Sequence, residues 1–419
     1  MSTLVLSTYD LGRQPFGVAS PVAWLRRAGV EARAIDLSRD QLSPDAVSAA
    51  RVVAFYLPMH TATRLALPVI DRVRSINPDA TLCAYGLYAQ LNETLLREHG
   101  VTTILGPEAE EQLVALAVGG ARSAEARSAK VDQALPRLQF IQPDRADLPS
   151  LDRYATLVMP DGTRKVVGST DATRGCKHRC RHCPIVPVYN GQFRVVPADV
   201  VLADVRAQVE RGAAHITFAD PDFFNGPTHA RKIVEALHQE FPHLSYDVTI
   251  KIEHLLEHRE LLPLLVKTGC AFVTSAVESV DDAVLEKLEK GHTRAGFIEA
   301  AKLCRHAKLE LSPTFVAFTP WTTLASYIDL VNVVDEVGLT SHVAPVQWSI
   351  RLLVTFNSRL LELPDIQRLV GPFDPKTLTY PWVHPDPRVD ALQRTMMELA
   401  AQPRPARSRV PYLDEPWYC

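Results

Sequence analysis

The 419-residue sequence has almost no net charge, 45 Lys and Arg against 48 Asp and Glu, or −3 at pH 7. That balance gives no basic face for a polyanion, so nucleic acid is not an expected partner. No uninterrupted apolar run approaches the length of a membrane span. The opening, MSTLVLSTYDLG, lacks a basic stretch and a small-residue cleavage site. The expected setting is the cytoplasm, away from membranes. Internal repeats and low-complexity tracts are also missing. A disulfide framework is excluded on arithmetic: there are seven cysteines, an odd number with no secretion signal, and three of them crowd into one short run. What remains is an ordinary globular composition, 47% hydrophobic and 22% charged, long enough for roughly two to three domains.

The chain alternates strand-like and helix-like stretches in two blocks. In the first, Thr3–Ser7, Ala32–Asp36, Val52–Tyr56 and Thr81–Tyr85 read as short buried strands. Pro21–Ala28 has helical spacing, as does Leu67–Ile76 with Pro68 in its first turn. This is the rhythm of an open parallel sheet covered by helices. Residues 119–134 turn to Ala, Arg, Ser and Glu, readable as helix or linker, and a proline-rich extended stretch follows. The rhythm restarts near Arg164. Strands are expected at Val166–Ser169, His215–Phe218, Tyr246–Ile250, Phe272–Ala276, Leu311–Phe318 and His342–Gln347, with helices between them. Six such units fit a partial barrel or a doubly wound sheet, with functional residues on the loops after the strands. Nine prolines between Gly371 and Cys419 then mark an irregular tail, with one helix expected at Asp390–Ala401. The expected division is 1–135, a linker at 136–163, a second domain at 164–352 and a C-terminal extension at 353–419.

The strongest chemical signal is Cys176-Lys-His-Arg-Cys180-Arg-His-Cys183, a C-x3-C-x2-C run just after the first strand of the second domain. Three thiolates on one loop can hold three irons of a 4Fe–4S cluster and leave the fourth open to a small molecule. The competing reading is a zinc knuckle completed by His178 or His182. Lys251, Glu253 and Arg351 follow later strands and read as solvated surface charges.

The run resembles the signature of the radical S-adenosylmethionine superfamily. The resemblance implies an α/β chain: a Rossmann-like, cobalamin-binding-type domain, a partial (βα)6 barrel and a proline-rich tail. It implies a 4Fe–4S cluster on Cys176, Cys180 and Cys183, whose open iron chelates S-adenosylmethionine. Asp220 and Asp222, in His215-Ile-Thr-Phe-Ala-Asp220-Pro-Asp222, stand where the family places polar groups towards the methionine part. Glu278 and Ser279 resemble its element near the ribose. The same acids also suit helix caps and turns. Cobalamin-holding members carry D-x-H-x-x-G after the first strand. Here the stretch is Tyr9-Asp10-Leu11-Gly12-Arg13-Gln14-Pro15, with no histidine, so cobalamin is doubtful: the domain is kept as architecture, or holds cobalamin without that ligand. His60 is a further histidine that fits either a ligand or a structural role.

The tail, Pro411-Tyr412-Leu413-Asp414-Glu415-Pro416-Trp417-Tyr418-Cys419, is similar to that of the group with a CUAEP/CCAEP ending, although Tyr412 and Leu413 stand where the group has its paired soft ligands. Layout and tail also resemble the radical enzymes of arsinothricin biosynthesis. The implied reaction is transfer of the 3-amino-3-carboxypropyl group of S-adenosylmethionine to trivalent arsenic, with arsenite as substrate and the hydroxy precursor of arsinothricin as product. A thiolate suits thiophilic arsenic. Cys419 is the first candidate, with Cys304 and Cys270 behind it, and an electron donor such as a flavodoxin or ferredoxin is implied. Two alternatives stand beside this reading. One is a 5′-deoxyadenosyl radical acting on an organic intermediate. The other is a non-enzymatic iron–sulfur or zinc sensor.

Overall fold

Short runs of Val, Leu, Ile and Ala, buried on both faces, form the first sheet, as expected of parallel strands sandwiched between helices. The strands are β1 (Ser2–Ser7), β2 (Glu31–Asp36), β3 (Ala50–Tyr56), β4 (Thr81–Tyr85) and β5 (Thr103–Ile104), in the order β2-β1-β3-β4-β5. The strand order reverses between β1 and β3, the topological switch point where open α/β sheets bind ligands. The computed structural model describes residues 2–119, 135–402 and 410–414. The stretch expected as helix or linker at 120–134 lies outside them, as does Cys419.

The second sheet is built from β6 (Thr156–Val158), β7 (Arg164–Thr170), β10 (His215–Phe218), β11 (Ser245–Thr249), β12 (Cys270–Glu278), β13 (Leu311–Phe315) and β14 (Tyr412–Asp414). Their order is β13-β12-β11-β10-β7-β6-β14. Neighbours from β7 to β13 are parallel, and β6 and β14 add antiparallel strands at one edge. A small hairpin, β8 (Thr173–Gly175) with β9 (Phe193–Val195), brackets the cysteine loop. The barrel core gathers Phe218, Phe223, Tyr246, Phe297, Phe315 and Phe318, all almost fully buried.

Three expectations need correction. The sixth strand does not form: residues 340–348 make two 3-10 turns, and a single bridge, Phe318 to Arg351, stands in its place. Pro345 has no N–H to give a ladder, and β13 becomes an edge strand that tolerates Pro313. The helix expected from Leu67 begins at His60, so Pro68 lies well inside it. Small and polar residues at its start hide the helical period. The helix expected over Leu255–Thr268 is broken, resuming at Leu262 with Pro263 in its first turn. Among the described residues, no helix is long and apolar enough to cross a membrane.

Candidate functional site

The carboxyl edges of both sheets converge on one place, and the cysteine loop lies there. β7 ends at Thr170, β8 leads straight into Cys176, and the loop closes with Cys183 N–H donating to the Cys180 carbonyl. Asn225 clamps the loop's entry, its Nδ2 donating to the Gly175 carbonyl at 3.1 Å and its Oδ1 accepting from Lys177 N–H at 3.1 Å. Gly175 takes a φ of +79°, and a Cβ there would strike the Tyr189 ring at 2.3 Å, so glycine is required. Burial pushes the Cys176 thiol up to about 11 and Cys183 up to about 12. Each must lose its proton to bind metal.

The loop fits a cluster better than a single ion. Among the described residues, the set with ligand atoms all within 4.8 Å is His178, Asp222 and His254, and the three thiols form no such set. Zinc–sulfur bonds of about 2.3 Å would require them much closer together. Both histidines of the loop have Nε2 engaged, while His182 Nδ1 has no hydrogen-bond partner. His182 Nε2 meets Glu278 Oε1 at 3.0 Å, and His178 Nε2 meets His254 Nε2 at 3.1 Å. Cys83, Cys270 and Cys304 lie in or against the two cores. Cys304 is 1% exposed and burial pushes it up to about 12. It is a core residue, and the structure does not bring it to the loop.

The expected cosubstrate residues divide. Asp220 spends both oxygens on the backbone turn before the loop, accepting from Ala172 N–H at 2.8 Å and Thr173 Oγ1 at 2.6 Å. Burial pushes it up to about 8. It shapes the turn. Asp222 caps a short turn through Oδ1, accepting from Phe224 N–H, while Oδ2 lies 2.7 Å from His254 Nδ1 without hydrogen-bond alignment. Ser279 accepts from Asp281 N–H.

Glu278 ends β12 with φ +66°, a strained conformation of the kind held at functional sites. Lys290 Nζ lies 3.3 Å from the same Oε1 that His182 contacts. Burial would raise Glu278, but Lys290 and His182 outweigh it and bring it down to about 2. Lys290 escaped sequence reading, and the sequence offers His182 only as a candidate zinc ligand, because nothing local pairs either with Glu278. Lys251, expected in solvent, is buried and bonded to Glu253 at 3.2 Å. Arg351 pairs with Asp390 and stacks on Trp382.

The depressed carboxyl of Glu278 makes the ion pair stabilising at neutral pH, with the contribution lost as pH falls from the ordinary carboxylate range towards 2. Lys290→Met, which strands a buried carboxylate, is expected to cost about 3–5 kcal/mol near pH 7. In thermal melts the gap to the parent should narrow below pH 4. A gap unchanged with pH would contradict the pairing.

Beside the loop, a cavity of about 240 Å³ sits at the β1/β3 switch point. Asp10, Arg13, Tyr56, Glu110, Asp171 and Arg174 are among its lining residues. Arg174 ties the two domains across it. Its Nη1 meets Glu108 Oε2 at 3.1 Å and Glu110 Oε1 at 2.8 Å, and Tyr189 donates to Glu108 at 2.8 Å. Burial pushes Asp10 up to about 7 against the pull of Arg13, with Asp171 and Asp36 adding to the rise.

This cavity does not fit cobalamin. Its volume falls below the roughly 300–1,000 Å³ of ordinary small-molecule sites, and a corrin with its nucleotide tail is larger still. The Tyr56 and Tyr85 rings, 5.5 Å apart, fill the floor. Tyr56 lies where a Cβ on Gly17 would be, and the Tyr85 hydroxyl donates to the Gly17 carbonyl at 2.7 Å. His60 Nε2 is bonded to the Thr377 carbonyl.

Comparison with known proteins supports the fold and the cysteine loop, while the solved neighbours, unlike this cavity, hold cobalamin. The radical SAM superfamily profile matches residues 171–322. Hopanoid C-3 methylase of Methylococcus capsulatus is 26% identical over 160 residues, covering 38% of this chain and 30% of that protein. Bacteriochlorophyllide d C-12(1)-methyltransferase of Chlorobaculum tepidum is 26% identical over 132 residues, covering 31% and 28%. The chain spans less than a third of the length of these two relatives. Among solved structures, the cobalamin-dependent S-adenosylmethionine radical enzyme OxsB with aqua-cobalamin bound superposes with a TM-score of 0.73, at 14% identity, over 94% of this chain and 66% of that one. The methyltransferase TsrM of Kitasatospora setae, with cobalamin and a [4Fe-4S] cluster bound, gives 0.61 at 15% identity over 80% and 70%. The chain shares its two-domain fold with these enzymes, and its residues 171–322 are a radical S-adenosylmethionine domain of that superfamily.

Proposed function

We propose that this chain is an enzyme that cleaves S-adenosylmethionine reductively and transfers its 3-amino-3-carboxypropyl group to arsenite. The observation that carries the choice is the small cavity beside the cysteine loop, whose largely apolar wall carries Asp10, Arg13, Glu110, Asp171 and Arg174. It gives a corrin methyl carrier no seat, which favours direct transfer from the cosubstrate to a small acceptor.

The reaction balances. The bond from sulfur to the methionine γ-carbon breaks, leaving methylthioadenosine, and a carbon–arsenic bond forms. Arsenic goes from trivalent to pentavalent, and one proton is released as arsenous acid becomes the arsonic acid. The cluster, when bound, supplies one electron at cleavage and takes one back after the carbon–arsenic bond forms. Its first electron comes from a flavodoxin- or ferredoxin-class donor in the cytoplasm. Cys176, Cys180 and Cys183 hold the cluster. Asp222, whose Oδ2 faces His254 Nδ1 at 2.7 Å and His178 Nε2 at 3.6 Å, is offered to the ammonium, and Glu278 and Ser279 to the ribose. Asp220 sets the turn that positions the loop.

Cys419 is proposed to hold arsenic. β14 pairs antiparallel with β6, which pairs antiparallel with β7, so β14 runs towards the carboxyl edge where the cysteines lie. Asp414 stands level with Val166 through Thr156. From Val166 to the end of β7 is about 13 Å at the usual strand rise, and five residues can reach about 17 Å. With arsenite, S-adenosylmethionine and a reductant under anaerobic conditions, mass spectrometry should find an arsenic-bearing amino acid. Cys419→Ser should keep cosubstrate cleavage and lose at least tenfold in transfer. Absence of any arsenic product from the parent protein would overturn the reading.

A further inference from the structure

The cavity at the β1/β3 switch point is shaped and charged for a particular kind of molecule. It encloses about 240 Å³. Three carboxylates, Asp10, Glu110 and Asp171, line it, against Arg13 and Arg174. Arg174 is already engaged by Glu108 and Glu110. Glu110 is 2% exposed: its Oε1 accepts from Ser20 and Arg174, and its Oε2 has no partner. A buried carboxylate oxygen left unsatisfied is costly and calls for a donor. No cysteine is among the lining residues.

We infer that this cavity is the acceptor site, where arsenous acid is bound as a neutral trihydroxy acid that donates its hydroxyl protons to the Asp10, Glu110 and Asp171 carboxylates. The inference rests on the transfer reading above and adds where the acceptor sits and how it is chosen. Arsenous acid is uncharged at neutral pH, has four non-hydrogen atoms and brings three O–H donors. Phosphate and arsenate are of similar size but are charged at neutral pH and bring fewer O–H donors, so they match the carboxylate oxygens less well. Gly175, next to Cys176, also lines the cavity, which puts an acceptor there beside the loop that cleaves the cosubstrate. The tail cysteine and the cavity are compatible, because the carboxylates select the neutral acid and a thiol approaching from the open side can take the arsenic.

The test is calorimetric titration of the reconstituted full-length protein with sodium arsenite, then with sodium arsenate and sodium phosphate. Asp10→Asn and Asp171→Asn are studied in parallel, with iron content and circular dichroism confirming that each is folded and loaded. Each variant should weaken arsenite binding at least tenfold and raise KM for arsenite similarly. Arsenate and phosphate should not bind. Arsenite binding unchanged within twofold in both variants would overturn the site, as would one hydroxocobalamin retained per chain after gel filtration. Arsenite bound by the parent and weakened by the variants, but with no arsenic product, would sink the transfer reading and leave the site standing. Normal product formation with unaffected variants would sink the site alone. No arsenite binding by the parent would remove both.

Discussion

Cys180→Ala should give a folded, colourless protein that does not cleave S-adenosylmethionine. Cys180 is the most buried of the three loop cysteines, 6% exposed, and its carbonyl accepts the hydrogen bond that closes the loop. Alanine keeps that backbone bond and removes only the sulfur. The loop keeps its anchors at Asn225 and at Arg181, whose N–H donates to the Leu288 carbonyl. Two thiols cannot hold three irons of a cubane. Iron should fall from about four per chain after anaerobic reconstitution to a trace, and nucleoside products should drop below detection, a loss of at least a thousandfold. The far-ultraviolet circular dichroism should be unchanged. A variant that still cleaves the cosubstrate would remove the loop from the mechanism.

The second large effect is expected away from the cysteines. Arg174 links the first domain to the hairpin that leads into the loop, and its partners Glu108 and Glu110 are both buried. Replacing it with methionine leaves two buried carboxylates facing each other. Burial holds Glu108 above its ordinary range even beside the arginine, so the loss is severe, about 3–5 kcal/mol. The thermal midpoint should fall by roughly 10 °C, and the domains should separate enough for proteolysis at the 135–150 stretch. The charge explanation is checked by adding Glu108→Gln and Glu110→Gln to Arg174→Met. With Glu108 and Glu110 neutral, only the partly exposed Asp171, 3.5 Å from Arg174 Nε, is left without its partner, and most of the lost stability should return. If the triple variant is as unstable as the single one, Arg174 acts through packing on Phe16 and Phe140.

The cysteine loop was legible in the sequence because its spacing is itself the chemistry: ligands must be neighbours on one loop. The buried strands were legible because parallel strands covered on both faces are short apolar runs, and His215–Phe218 and Thr81–Tyr85 match residue for residue. The rest depends on distance along the chain. His182 and Glu278 are 96 residues apart, and Arg174 lies 66 from Glu108, so no local pattern announces either pair. Asp220 shows the limit from the other side. A carboxylate two residues before Asp222, at the end of a strand, looks the same whether it binds a ligand or pins a turn, and only its partners, the Ala172 N–H and the Thr173 hydroxyl, decide. β6 and β14 have three residues each, too short for periodicity to register. The sixth strand failed although Pro345 was in view, because a proline in a short apolar run is compatible with an edge strand, as Pro313 is in β13, or with none.

The central claim is the direction in which the sulfonium is cut, and the nucleoside left behind reports it directly. A single anaerobic turnover of the reconstituted protein with S-adenosylmethionine, reductant and arsenite should leave methylthioadenosine, one per arsenic-bearing amino acid formed. Mainly 5′-deoxyadenosine, in an amount indifferent to arsenite, would contradict the account and point to an organic substrate.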